Sequence, residues 1–182
     1  YANPFYLYGL GDMHLGVVHC DESALIEKVS EIKGLGNKAI VLGMGDYGDC
    51  VTPDDIKRWD ARILAPWLLD DMNPKLPVWM RSNMDNIGSG VLHRVDEILS
   101  PIWGSFIGLI EGNHDDGIRK HNHYNFMKEL LLLANKKHKV DYAGVQCFLT
   151  LHFVRKNSNE VHDVLIHARH GEGAARTSGA RA

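Results

Sequence analysis

FYLYGLGDMH (residues 5–14) and KAIVLGMGDYGD (residues 38–49) each begin as an aromatic or aliphatic run, stop at glycine and then turn acidic. That is the pattern of a buried strand running into a polar loop. Between them Asp21 is placed as a helix N-cap, Leu25, Ile26, Val29 and Ile32 recur at helical spacing, and Gly34 is placed to end the helix. The order strand, helix, strand predicts a β-α-β unit. Its two strands run parallel, so the loops bearing Asp12, His14, Asp46 and Asp49 lie side by side.

The same logic extends outward. Phe106 to Ile110 reads as a third strand leading directly into EGNHDD, residues 111–116. Thr52, Pro53, Asp54 and Asp55 form a strong helix start, and that helix is expected to run through Trp59 and Ile63 towards Leu69. Asp70 to Gly90, with Pro74 and Pro77, is expected to be irregular. Val91 to Leu99 and about Asn122 to Ala134 read as amphipathic helices. Strands are expected near Val140, from Gln146 to Val154 and from Val161 to His167. Alternating elements early and strands late predict an α/β chain in which two mixed sheets pack together with helices outside. The expectation is one domain over residues 1–182, with a helical or irregular insertion at about 53–100.

Composition narrows the function classes. The chain has 182 residues, 45% hydrophobic and 24% charged, with a formal charge of -3, so no basic field marks a DNA-coating or membrane-surface protein. No apolar run is long enough to span a bilayer. Cys20, Cys50 and Cys147 have no metal-type spacing, and no leader follows Tyr1. A cytoplasmic protein is therefore expected.

The chemistry gathers where the strands end, which is where ligands bind in parallel-sheet proteins. Asp12 and His14 are two apart, so on an extended segment both would face one cation. Asp46 has glycine beside it and Gly48 close behind, which leaves its carboxylate room to bridge two ions. Asn113 offers an amide oxygen. Each piece alone is also ordinary turn chemistry. Three such pieces, in order, after three apolar strands, point to a metal site. Mixed imidazole and oxygen donors suit Mn, Fe, Zn or Ni. Two such cations can clamp a phosphate and activate water near neutral pH.

GDMHLG, GDYGD and EGNHD resemble the first three blocks of the calcineurin-like metallophosphoesterase superfamily, of the phage and bacterial type. The resemblance implies an αββα four-layer sandwich, a dinuclear centre of two divalent ions (Mn first among the candidates) and hydrolysis of phosphate esters. It assigns Asp12 and His14 to the first metal, Asp46 to the bridge and Asn113 to the second metal. His114 would act on the phosphate or leaving group, with Asp49 orienting it. The superfamily's next ligand is a histidine that ends a strand and precedes glycine, which selects His170 over the runner-up His167. A final G-H-x-H block does not occur here, so the domain is expected to be incomplete at its C-terminal side. The superfamily's protein phosphatases carry arginine where this chain has Cys50 and Glu111, which favours a phosphodiesterase or nuclease-like member acting on a nucleotide or nucleic acid. The competing expectation is a non-catalytic scaffold that uses the fold to bind protein.

Overall fold

The computed structural model describes residues 4–53, 59–69, 86–155 and 159–171. The chain is mixed α/β. Strands β1 (Tyr6–Leu10), β2 (Ala39–Gly43), β3 (Phe106–Leu109) and β4 (Asp141–Tyr142) form one parallel sheet in sequential order. Strands β5 (Gln146–Val154) and β6 (Val161–Arg169) form an antiparallel ribbon. The helices are α1 (Glu22–Leu35), α2 (Pro66–Leu69), α3 (Ile87–Leu99), α4 (Asn113–Asn122) and α5 (Phe126–Ala134).

The sequential strand order has a direct consequence. Right-handed crossovers between neighbouring parallel strands put every connecting helix on the same face. Accordingly Val29 and Ile32 of α1, Val95 and Leu99 of α3, and Phe126 and Leu130 of α5 share one core with Val41 of β2. Each such side chain contributes roughly 1.5–3 kcal/mol by burial. Glu22 ties three helices at their rim, accepting from Trp67 Nε1 at 2.5 Å and from Arg94 Nη2 at 2.7 Å. A second, smaller cluster joins Leu42 and Ile110 to Ala168 of β6, with Cys147 of β5 packed against it. The ribbon thus meets the parallel sheet through a narrow apolar contact.

Several expectations need correction. Neither sheet is mixed among the described residues: β4 is reached by a crossover through α4 and α5, while a hairpin joins β5 to β6. Strand β1 is an edge, not a buried strand. It pairs with β2 on one side, and Tyr6 and Leu7 are exposed. Helix α1 runs through Gly34 and stops at Gly36, whose φ of 53° is the conformation that favours glycine. Residues 54–58 lie outside the described residues, but the helix expected to reach Leu69 is interrupted before it. A 3₁₀ turn covers Ala61–Ile63, Leu64 bridges to Val17, and the Ala65 N–H donates to the Gly16 carbonyl. Pro66 disfavours helical geometry in the residue before it, so α2 starts afresh. The expected irregular stretch ends early: Asn86 caps α3 by accepting from Ser89 N at 3.1 Å, and Gly88 packs against Tyr124. The rest of that stretch, 70–85, lies outside the described residues.

The segment after the third strand, given no element of its own in the sequence, forms α4 at Asn113–Asn122, and the helix expected from about Asn122 begins at Phe126 behind the Asn125 cap.

Candidate metal centre

The loops after β1 and β2 are zipped together by the main chain. Asp12, Met13, His14 and Leu15 donate in turn to the carbonyls of Gly45, Asp46, Asp46 and Tyr47 at 2.9–3.2 Å, and the Asp49 N–H returns a bond to Leu15 at 2.7 Å. Parallel pairing therefore continues past the strands and carries two polar clusters side by side. Met13 and Leu15 insert into the core as anchors.

Asp12, His14 and Asp46 all have left-handed backbones, with φ of 51°, 48° and 53°. This corrects the extended geometry expected for Asp-x-His. Alternating left-handed residues, not a flat strand, turn both side chains to the same side. Such conformations disfavour L-residues by about 1–2 kcal/mol each and persist where the surroundings enforce them, characteristically at functional sites. Here three of the four non-glycine residues with positive φ among the described residues are candidate ligands.

Two triads of donor groups meet at Asp46. His14, Asp46 and His114 form one; Asp12, Asp46 and His170 form the other. Within each, the donor atoms lie within 4.8 Å of one another. Asp12 and His14 adjoin, Oδ1 to Nε2 at 3.9 Å, although each belongs to a different triad. Asp46 is 3% exposed and so has little water of its own. Its Oδ1 accepts from the His114 main-chain N–H at 2.9 Å, which leaves Oδ2 towards His170 Nε2 at 3.2 Å and His14 Nε2 at 3.8 Å.

His170 fixes the electrostatics. Its Nδ1 lies 2.7 Å from the Met44 carbonyl oxygen. A carbonyl can only accept, so that nitrogen carries the proton. In the neutral ring Nε2 then turns a lone pair towards Asp46 Oδ2 and towards Asn113 Oδ1, 3.0 Å away. Electron pairs facing one another in a buried setting require a cation between them, either a proton or a metal ion. An imidazole whose second nitrogen is committed to a main-chain carbonyl is the usual arrangement of a metal-ligating histidine. The donor set of imidazole, carboxylate and amide oxygen fits a transition-metal dication.

Asn113 and His114 open α4, so the positive end of that helix lies at the cluster. His114 Nδ1 is 3.3 Å from Asp49 Oδ1, and its ring meets that of His14 edge to face at 4.6 Å. The Asp49 carboxylate thus faces the His114 ring at Nδ1, within ion-pair range. All of the expected residues, Asp12, His14, Asp46, Asp49, Asn113, His114 and His170, come to one place. His167 does not; it stacks on Phe148 of the ribbon.

Three residues that the sequence analysis gave no role support the centre. The buried Asp115 carboxylate accepts from the N–H groups of Asp46 at 2.8 Å, Gly112 at 2.9 Å and Tyr47 at 3.2 Å, pinning one loop to the other. Burial pushes its pKa up to about 6 against the pull of those three bonds. Tyr47 is fully buried and donates to the Ile110 carbonyl at 3.0 Å. Gly112 is obligatory: a Cβ there would stand 2.0 Å from Asp46 Oδ1. A sequence signal existed for Asp115, since an acid at the third helical position is a capping pattern. No family model matches the chain, and no curated protein and no solved structure is significantly similar to it.

Proposed function

We propose that this chain is a metal-dependent phosphoesterase with a dinuclear centre, closer to a phosphodiesterase or nuclease than to a protein phosphatase. The observation that carries the reading is Asp46, the carboxylate common to both donor triads and faced at 3.2 Å by Nε2 of His170. Asp12, His14, Asp46, Asn113 and His170 would hold two divalent cations, with Mn the first candidate and Fe, Zn or Ni the alternatives. When bound, such cations supply Lewis acidity towards the phosphoryl oxygens and a hydroxide nucleophile near neutral pH.

The remaining work falls to the protein. His114, with the Asp49 carboxylate facing its Nδ1, is the group placed to stabilise charge on the phosphoryl oxygens or to protonate the leaving oxygen. The N-terminus of α4 adds a positive dipole end for an anionic substrate. The order of layers among the described residues, helices then parallel sheet then ribbon, supports three of the four layers of the αββα sandwich suggested by the motifs. Diester chemistry is supported at Glu111, which stands where the related protein phosphatases have arginine. Its carboxylate accepts the Tyr142 hydroxyl at 2.5 Å.

The test is hydrolysis of bis(p-nitrophenyl) phosphate and p-nitrophenyl phosphate, each with added Mn and with chelator. Mn-dependent turnover favouring the diester is expected. Weak Mn binding without turnover of either compound would overturn the assignment in favour of a non-catalytic scaffold.

A further inference from the structure

Two hollows meet at Arg119. The first, of about 250 Å³, opens onto the candidate metal centre, and Asn113 and His170 line it together with Asp116, Arg119 and Lys120. The second, of about 510 Å³, is walled by Met127, Leu131, Leu132 and Tyr142. Glu111 and Arg119 belong to both. The first hollow therefore reaches the candidate centre at Asn113 and His170, the second exposes more apolar than polar wall, and Arg119 is the cation common to both.

That boundary is built, not incidental. Glu111 is 7% exposed and is held by the Tyr142 hydroxyl. Arg119 pairs with Asp116 and lies 3.9 Å from Glu111 Oε1, in both cases through Nη2. Guanidinium has five N–H donors in a rigid plane. Anchoring through one nitrogen orients the plane and leaves Nε and Nη1 as the donors that a ligand in the cleft can meet.

We propose that Arg119 is a specificity-determining residue. It selects a phosphodiester whose organic arm, a nucleoside, runs from the metal centre past the guanidinium into the trough of Leu131, Leu132 and Tyr142. The inference rests on the phosphoesterase reading and deepens it. The phosphate occupies the polar hollow beside Asn113 and His170, Arg119 donates to the oxygens of the sugar-phosphate arm, and the flat base covers the apolar wall. Inorganic phosphate fills the first hollow and gains nothing from the second. A nucleotide reaches both.

The test is calorimetric binding of AMP, the nucleoside monoester that hydrolysis of such a diester leaves, and of inorganic phosphate to the Mn-loaded wild type, Arg119→Ala and Leu132→Glu. Leu132 is 55% exposed, so its substitution reads the trough without disturbing the core. The wild type should bind AMP about tenfold or more tighter than phosphate, the equivalent of one good contact surface. Both variants should bring that ratio towards one. A wild type that binds the two alike, or variants that keep the preference, would overturn the proposal alone, provided that bis(p-nitrophenyl) phosphate is still hydrolysed with Mn. Absence of that hydrolysis, with Mn-independent binding of both ligands, would overturn the phosphoesterase reading and this proposal together.

Discussion

His170 Nε2 and Asp46 Oδ2 face each other at 3.2 Å, while the opposite nitrogen of the same ring is committed to a main-chain carbonyl. The pair is arranged for a cation, and it predicts what each substitution does to metal binding. Asp46→Ala and His170→Ala should each weaken Mn binding on the order of 100-fold or more, read by calorimetry. Asp46→Ala and Asn113→Ala should also abolish Mn-dependent turnover, with the far-ultraviolet circular dichroism of the native fold. Turnover that persists in either would remove that residue from the centre.

Asp49 acts through His114. Asp49→Asn keeps the shape but loses the charge that faces Nδ1 at 3.3 Å. The expected result is a fall in kcat of about 10²–10⁴-fold with KM changed far less. An equal change in KM would mean that Asp49 serves substrate binding instead.

Backbone strain at Asp12 separates stability from function. Its side chain is 74% exposed, yet its φ is 51°. Asp12→Gly should raise the stability of chelator-treated protein by about 1 kcal/mol, since glycine adopts that conformation freely. In Mn the order should reverse, because the ligand is gone. Urea midpoints with and without metal measure both arms. A glycine variant less stable in chelator would show that the strain is not there.

Gly112→Ala tests the close packing of the loops. A Cβ 2.0 Å from Asp46 Oδ1 and 2.4 Å from Asp46 N has no room to settle without moving the bridging carboxylate. A loss of about 2–3 kcal/mol in urea unfolding is expected, together with weakened Mn binding. Gly117→Ala is the control, because nothing lies within 4 Å of its added Cβ.

Cys20 gives a pH prediction away from the centre. Burial first, then the charges of Glu22 and Asp21, push its thiol up to about 11. The thiolate is the reactive form, so alkylation at pH 8 should be slower than for a free thiol and should climb as pH approaches 11. A raised acid pKa means that the associated stability is intact below the ordinary thiol value of 9.0 and is lost as pH rises through about 11. Peptide mass spectrometry after timed iodoacetamide treatment reads Cys20 alone. Fast labelling at pH 8 would contradict the shift.

Much of this was legible in advance, for identifiable reasons. The β1-α1-β2 unit announces itself because the hydrophobic period changes from continuous to helical and Asp21 supplies a cap, which in the structure accepts from Ala24 N at 3.0 Å. Asp12, Asp46 and Asn113 could be brought together because parallel strands end at one edge. Helix α4 was illegible because Asn113–Asn122 is polar almost throughout and contains Gly117. The strong start at Thr52 carried no information about length, which was decided by pairing of Leu64 with Val17. The Met44 carbonyl that fixes the His170 tautomer has no sequence signature, since every residue has a carbonyl. Left-handed Asp12 and His14 contradict local preference, and only the zipped loops explain why the chain accepts them.

The narrow contact between ribbon and parallel sheet has a consequence for assembly. Six of the seven clustered side chains precede the ribbon in the chain, and a ribosome would release them long before His170 exists. Of the seven, His170 joins last, with the arrival of the hairpin, and a bound ion would act as the clasp that locks a lightly seated flap. Chelation should accordingly loosen β5 and β6 ahead of the helical core, so hydrogen exchange would be seen to spread inward from the clasp.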